Sequence, residues 1–468
     1  MDLVCAQAPG KKRALLFLLA TGALALVGYA AYLVVPHSWL KLAAFGAIAS
    51  VAGLAALAYP RHGFYIAVFY VYAGLGCYTG LPVVAALTFL VTAAVLLGLA
   101  RGDSVQMTDR LFNGALAVFT VIACQSLVVS WDHRFSLLSL AFFLKSVLLV
   151  FLVAQLIRTG KHLETLAFVL FGAAFASVIL GVVNVKLGLA QDWMVLAGAF
   201  GWQRFGATHI DPNVAALYMV AGIPLGIYSV KRARPVFAKV LLAICVVIVV
   251  LGLVATFSRQ TIFPLLLVLL AVLFREARSK WVYAIAVVCA VVGLLLIPEY
   301  YWYRVSTIGQ VLEGSGEDFS LAIRFKALKV AWHLFLQHPL TGVGLNNFIV
   351  RSAPELHVAI GAHNGYMEIL TGVGIFGFTA FILMPISAIR GFARAIKTSW
   401  PEGERWMIDL SYYFLLSAVA VFVLMFFAQS QFYRVYWVPI AAGLVARRLS
   451  DQARSSAKNY ETQPRGSG

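Results

Sequence analysis

The residues best suited to chemistry in this 468-residue chain stand in Ala362-His363-Asn364-Gly365-Tyr366-Met367-Glu368-Ile369-Leu370, where a long polar loop runs into an apolar span. An imidazole titrates near neutral pH, so His363 at the mouth of a membrane helix is a candidate general base for a substrate arriving at the bilayer surface. Other imidazoles lie nearby: His333, His338 and His357 share the loop, and His209 is close to Asp211. His363 is preferred because it alone begins a span. The bland alternative is a histidine that caps the helix.

A second set of residues is suited to an anion. Arg204, Arg259, Arg304, Arg324, Arg351 and Arg434 fall on the side of the chain where the positive-inside rule requires no basic residues. A guanidinium keeps its charge and grips phosphate at two points, so several arginines around one cavity suit a diphosphate. Arg259 follows Thr256-Phe257-Ser258 at the start of a span, which holds it close to the bilayer surface. Arg204 belongs to Trp202-Gln203-Arg204-Phe205-Gly206, just ahead of Asp211-Pro212-Asn213, where Asp211 reads as an N-cap and Pro212 as the first helical residue. Any one of these arginines would also serve as an interfacial anchor or loop ion pair. Lys145 lies well inside an apolar span, in Phe142-Phe143-Leu144-Lys145-Ser146, and either snorkels to the interface or meets a substrate phosphate.

These residues need a membrane scaffold to position them. With 62% hydrophobic and only 12% charged residues, and a mean hydropathy of +0.89, the chain has too little polar surface for a soluble globule and reads as an all-α polytopic membrane protein. Fourteen apolar runs are candidate crossings, from Ala14–Val34 and Leu42–Ala58 through Asn213–Ser229, Val236–Phe257, Trp281–Ile297 and Gly365–Ile389 to the short Tyr433–Ala446, so about 12–14 transmembrane helices are predicted. Basic residues such as Lys11, Lys12, Arg13, Lys231, Arg232, Arg275, Arg278, Arg390 and Arg394 recur in alternate loops, which predicts both termini cytoplasmic. The net charge of +17 is largely this bias meeting anionic headgroups, not a nucleic-acid footprint. The first span follows Lys11-Lys12-Arg13 and is long enough to stay as an anchor.

The helical domain is read as residues 1–449, with a disordered cytoplasmic tail over 450–468. Its one sizeable insertion, 298–362, falls on the extracytoplasmic side. Within it Leu321, Phe325, Leu328, Trp332 and Phe335 recur at helical spacing with Arg324, Lys326, Lys329 and His333 between them, predicting an amphipathic helix at the interface whose alternative role is to plug the bundle. Pro339 stops that helix, and Thr341-Gly342-Val343-Gly344-Leu345-Asn346-Asn347-Phe348 reads as a flexible turn. Gly372, Gly374 and Gly377 read as sites of close helix packing. Cys5, Cys77, Cys124, Cys245 and Cys289 have neither metal spacing nor loop pairing and read as packing residues.

Ser258-Arg259 at a span start, Arg324 in a loop helix, then His338-Pro339-Leu340-Thr341-Gly342-Val343-Gly344 with Asn347-Phe348, and finally His363-Asn364 with Glu368 and Gly374, form a pattern that resembles the bacterial O-antigen ligase and polymerase superfamily, most of all the lipopolysaccharide ligase. The resemblance covers Arg204 to about Ile389. It implies a type C-like membrane glycosyltransferase of the inner membrane with its active site facing the periplasm. The implied donor is an undecaprenyl-diphosphate-linked polysaccharide and the implied acceptor the lipid A-core oligosaccharide. The family's essential histidine falls on His363 and its diphosphate-binding arginines on Arg259 and Arg324, with Arg204 a weaker match. General-base attack by an acceptor hydroxyl on the anomeric carbon predicts inversion. No cofactor is implied, and the scattered outward carboxylates, of which only Glu317 and Asp318 are adjacent, predict a metal-independent reaction. A repeat-unit polymerase of the same superfamily would share these residues. A polysaccharide flippase or other transporter would show charges in several spans or an internal repeat, and Lys145 alone does not meet that pattern.

Overall fold

The computed structural model describes residues 58–75, 83–106, 109–187, 195–197, 203–209, 211–276 and 319–462, with a few single positions between 283 and 291. The predicted span Ala14–Val34, nearly all of Leu42–Ala58, most of Trp281–Ile297 and the first part of the insertion lie outside these residues. The described chain is helical, apart from one two-stranded antiparallel ribbon, β1 (Val195–Ala197) with β2 (Gln203–Phe205). Its helices are α1 (Pro60–Tyr72), α2 (Val83–Ala100), α3 (Arg110–Gln125), α4 (His133–Leu156), α5 (Gly160–Lys186), α6 (Pro212–Arg232), α7 (Val236–Ala255), α8 (Ile262–Glu276), α9 (Phe319–Gln337), α10 (Phe348–Leu356), α11 (Gly365–Ile396), α12 (Trp406–Leu424) and α13 (Arg434–Thr462). Six helical segments among the described residues are long and apolar enough to cross a bilayer: α4, α5, α6, α7, α11 and Glu402–Leu424. The protein is an all-α polytopic membrane protein.

The described chain forms two compact units. One includes the first part of α1 together with α2; the other includes Tyr72 and everything from Gln106 onward. In the second unit α11 is central, packing on α3, α12 and α13, while α6 lies among α5, α7 and α12. Small residues permit the closest approaches. A methyl group on Gly443 of α13 would meet the backbone of Ala388 in α11, and one on Gly391 would meet the carbonyl of Gly443. Aromatic rings fill the adjoining layer: Phe119 lies edge-on to Phe143 with centroids 4.8 Å apart, and Phe381 stacks on Tyr436 at 5.5 Å.

Charges collect where the sequence reading placed cytoplasmic loops. Lys231 at the end of α6 pairs with Glu276 at 2.5 Å and with Asp409 at 3.0 Å, while Arg232 pairs with Glu164 at 2.6 Å. Arg447 meets Asp109 at 2.7 Å. These contacts join the ends of α3, α5, α6, α8, α12 and α13. The opposite ends of the helices carry His363 and the arginines, so the candidate site and the charged clamp occupy opposite ends of the bundle.

Helix α9 exists, and the face it turns inward is made of Ala327, Val330, Ala331 and Leu334, which are buried and packed with Phe348, Leu356 and Ala362. Phe325 and Trp332, of the apolar stripe read in the sequence, are exposed together with Leu336. The inner face follows the small residues because they let α9 approach α10 and α11 closely. At the carboxyl end, α13 continues as helix to Thr462, beyond residue 450 where a disordered tail was expected. The stretch Asp451–Thr462 carries no Gly or Pro to stop it.

Candidate active site

The site is built around the amino ends of α6 and α11. Asp211 caps α6 as its residue type suggests, its Oδ1 accepting the Asn213 N–H at 2.7 Å, and Pro212 occupies the first turn, where its missing N–H costs nothing. Asn213 then gathers the neighbouring strand and helix junction. Its Oδ1 accepts from Arg204 Nη2 and from Ser258 Oγ, each at 3.0 Å, and its carbonyl accepts from Gln260 Nε2 at 3.3 Å. Arg204 also donates through Nε to the Thr256 carbonyl at 3.0 Å. Part of its guanidinium is therefore committed to bracing the α7–α8 junction. That junction is a sharp corner, with Phe257 at φ 49° and Arg259 opening a short 3-10 turn. Arg259 is half-buried and follows Ser258, whose Oγ meets Asn213.

At the start of α11, Asn364 takes the capping role: its Oδ1 accepts the N–H groups of Tyr366 and Met367, both at 3.0 Å. His363 precedes the cap with φ 50°, in the left-handed region, and its imidazole is not needed to cap the helix. The imidazole is half-buried and within electrostatic reach of Arg324 of α9 and of Asp211, the cap of α6. Burial, then the Arg324 charge, push its pKa down to about 4, while the Asp211 carboxylate acts in the opposite direction. His363 is therefore neutral near pH 7 and able to accept a proton. Tyr433, in the α12–α13 connection, also feels the Asp211 charge, and burial together with that charge raises its phenol pKa.

The other imidazoles separate from this one. His333, His338 and His357 are exposed. His209 is buried, stacked on Tyr218 with centroids 4.8 Å apart, and burial pushes its pKa down to about 4. Of the remaining arginines, Arg351 lies over the Trp131 ring at 4.5 Å, Arg434 is exposed, and Arg304 lies outside the described residues. Lys145 is exposed on α4 with its ammonium 5.2 Å from the Phe142 ring, a snorkelling placement. His363 thus lies near the charges of Arg324 and Asp211, Arg204 and Ser258 meet on Asn213 with Arg259 next in the chain, and Lys145 does not join them. Among the described residues, no three His, Cys, Asp or Glu side chains are grouped as metal ligands.

The loop expected to be flexible is pinned. Helix α11 breaks at Gly374, with φ 69° and ψ −174°, and the segment 339–345 inserts against the break. Val343 N–H donates to the Thr371 carbonyl and Gly344 N–H to the Gly372 carbonyl, each at 3.0 Å, while Ile375 N–H donates to the Pro339 carbonyl at 2.8 Å. The backbone groups freed by the break are satisfied by the loop instead of by water. Asn347 anchors the other end of the motif, its Nδ2 donating to Ser130 Oγ at 2.8 Å and Ser136 Oγ at 2.6 Å. The Pro-Leu-Thr-Gly-Val-Gly motif and the glycines of α11 are therefore two halves of one structural unit.

Residues 244–382, a stretch holding Arg259, Arg324, the inserted loop, His363 and Gly374, match the family model described as O-antigen ligase. That stretch is similar to the O-antigen ligase and polymerase superfamily. Members of that superfamily are glycosyltransferase-like enzymes with lipid-linked glycan substrates. Arg204, Asp211 and Asn213 lie ahead of the matched stretch, yet the fold brings them to it. No curated protein matches the chain.

Proposed function

We propose that this chain is an O-antigen ligase, transferring a glycan from undecaprenyl diphosphate to lipid A-core at the periplasmic face of the inner membrane, with both termini cytoplasmic. The observation that supports the reading is a half-buried His363 at the amino end of α11, within electrostatic reach of Arg324 and of Asp211, whose helix begins with the Asn213 that Arg204 and Ser258 bond. In the proposed step the acceptor hydroxyl oxygen attacks the anomeric carbon, the bond to the diphosphate oxygen breaks, and the lipid diphosphate departs with the electron pair. His363 takes the hydroxyl proton, and attack opposite the leaving group inverts the centre. Arg259 and Arg324 oppose the charge that grows on the departing diphosphate, a role for fixed cations in a partly desolvated site. A polymerase would use the same donor with a second lipid-linked glycan as acceptor. The glycolipid profile of a deletion strain distinguishes the two: long polymer on the lipid carrier beside uncapped lipid A-core supports the ligase, whereas core bearing a single repeat unit supports the polymerase and overturns the acceptor proposed here.

The depressed pKa of His363 gives the reaction a defined acid limb. With the imidazole near 4 in the free enzyme, kcat/KM is expected to stay level through neutral pH and to fall as pH drops through about 4, where the base becomes protonated. Arg324→Gln removes a neighbouring positive charge that disfavours the imidazolium, so the acid limb moves to higher pH. A pH–rate profile of the reconstituted variant checks the sign. A limb that stays in place or moves down shows that Arg324 does not act on the proton acceptor.

A further inference from the structure

Beneath His363 lies a carboxyl group that the reaction scheme leaves unused. Glu368, in the first turn of α11, is only 2% exposed, and its Oε1 accepts the Ala362 N–H at 2.7 Å and Gln429 Nε2 at 2.5 Å. Ala362 immediately precedes His363. Its N–H belongs to the loop and not to the helix, so Glu368 reaches back past the Asn364 cap, which already serves the α11 N–H groups. Gln429 comes from the α12–α13 connection, and its side chain packs on Gly361 so closely that a methyl group there would collide with it. That connection also holds the start of α11 from the other side, where Gly365 N–H donates to the Met425 carbonyl at 2.9 Å and the Ala428 carbonyl at 3.1 Å.

The cost of this arrangement indicates its use. A buried carboxyl gives up hydration, and the second oxygen of Glu368 is buried with no hydrogen-bond partner. A leucine of similar size would fill the space without that cost, so the group's value lies in the N–H it holds. That N–H adjoins a non-glycine residue in the left-handed region, at His363 φ 50°, a conformation that persists only where its surroundings impose it.

We infer that Glu368 is a positioning residue for His363: its carboxyl, tied to Ala362 and Gln429, holds the imidazole at the reacting hydroxyl near Arg324 and Asp211. The inference rests on the general-base reading of His363. The test is steady-state transfer by purified, reconstituted wild type, E368L, E368Q and H363A, with thermal unfolding measured on each. E368L is expected to lower kcat about 100-fold, the order reached when a catalytic group is displaced by about 1 Å, with donor KM within about twofold of wild type. E368Q retains a carbonyl oxygen that can accept both N–H groups, and is expected to recover kcat to within about fivefold. Wild-type kcat in E368L overturns the inference. So does an equal loss in E368Q and E368L accompanied by a raised KM and a lowered unfolding temperature, because that marks a role in folding alone. Should E368L fail to accumulate, E368D carries the test: the carboxyl is withdrawn by one methylene, and kcat falling at constant KM supports the inference while unchanged kcat overturns it. H363A separates the two levels. An active H363A removes the general-base reading, whereas an inactive H363A beside a fully active E368L removes only the role assigned to Glu368.

Discussion

His363→Ala is expected to reduce glycosyl transfer by purified, reconstituted protein by at least about 100-fold, the lower end of what a positioned general base contributes. The protein should remain folded. The imidazole is half-buried, Asn364 supplies the helix cap, and the start of α11 is held by the Gly365 N–H bonds to the α12–α13 connection. Alanine keeps the backbone of position 363, so the Ala362–Glu368 contact survives. The loss should therefore appear in kcat, with the unfolding temperature close to wild type. Rescue by His209 is not expected, because that ring is buried against Tyr218. Undiminished transfer by the H363A protein would remove the proton acceptor from the proposed mechanism.

Gly374→Ala is expected to be the most damaging single-methyl addition in the α11 region. At φ 69° and ψ −174° the backbone occupies a region open essentially to glycine alone, at a cost of about 1–3 kcal/mol for another residue. A Cβ there would also fall against the carbonyls of Leu340 and Pro339, which are backbone and cannot rotate away. The inserted loop would have to move, breaking the Ile375–Pro339 hydrogen bond and disturbing those of Val343 and Gly344. Low accumulation in the membrane and a clearly lowered unfolding temperature are the expected outcome. Gly114→Ala in α3 is the matched control. It places its methyl in open space within a regular helix and is expected to stabilise by about 0.5–1 kcal/mol. Equal thermal stability of the two variants would show that the break in α11 is not a fixed feature of the fold.

The two halves of the candidate site were legible in the sequence to different degrees. Arg259 and Arg324 could be nominated because an arginine in an outward segment has no topogenic task; the charge of Arg324 acts on His363, and Arg259 follows Ser258, which bonds to Asn213. Lys145 could be nominated on the cost of a buried charge, but its side chain is long enough to leave the apolar layer, and a one-dimensional reading cannot choose between the two ends of that reach. Glu368 stands in the pattern that carries the family resemblance, but its role gave no signal, since a carboxylate in the first turn of a helix is an ordinary companion of the helix dipole. Its part depends on Gln429, which follows it by 61 positions and meets it only in the folded bundle.

Features that depend on neighbours along the chain can be read from the residues alone. Long apolar runs dictate membrane helices because hydrocarbon leaves the backbone no other way to satisfy its hydrogen bonds. Asp211-Pro212 marks a helix start because capping and the missing proline N–H are local effects, and Asp211 does cap α6. Three features rest instead on the folded bundle: which face of α9 turns inward, the filling of the break at Gly374 by the Pro-Leu-Thr-Gly-Val-Gly loop, and the approach of the Asp211 charge to His363. In each case the deciding partner is remote in sequence. A side chain's surroundings in a bundle are set by packing volume and by the pairing of backbone groups across elements, and neither quantity is written in the spacing of residues along one helix.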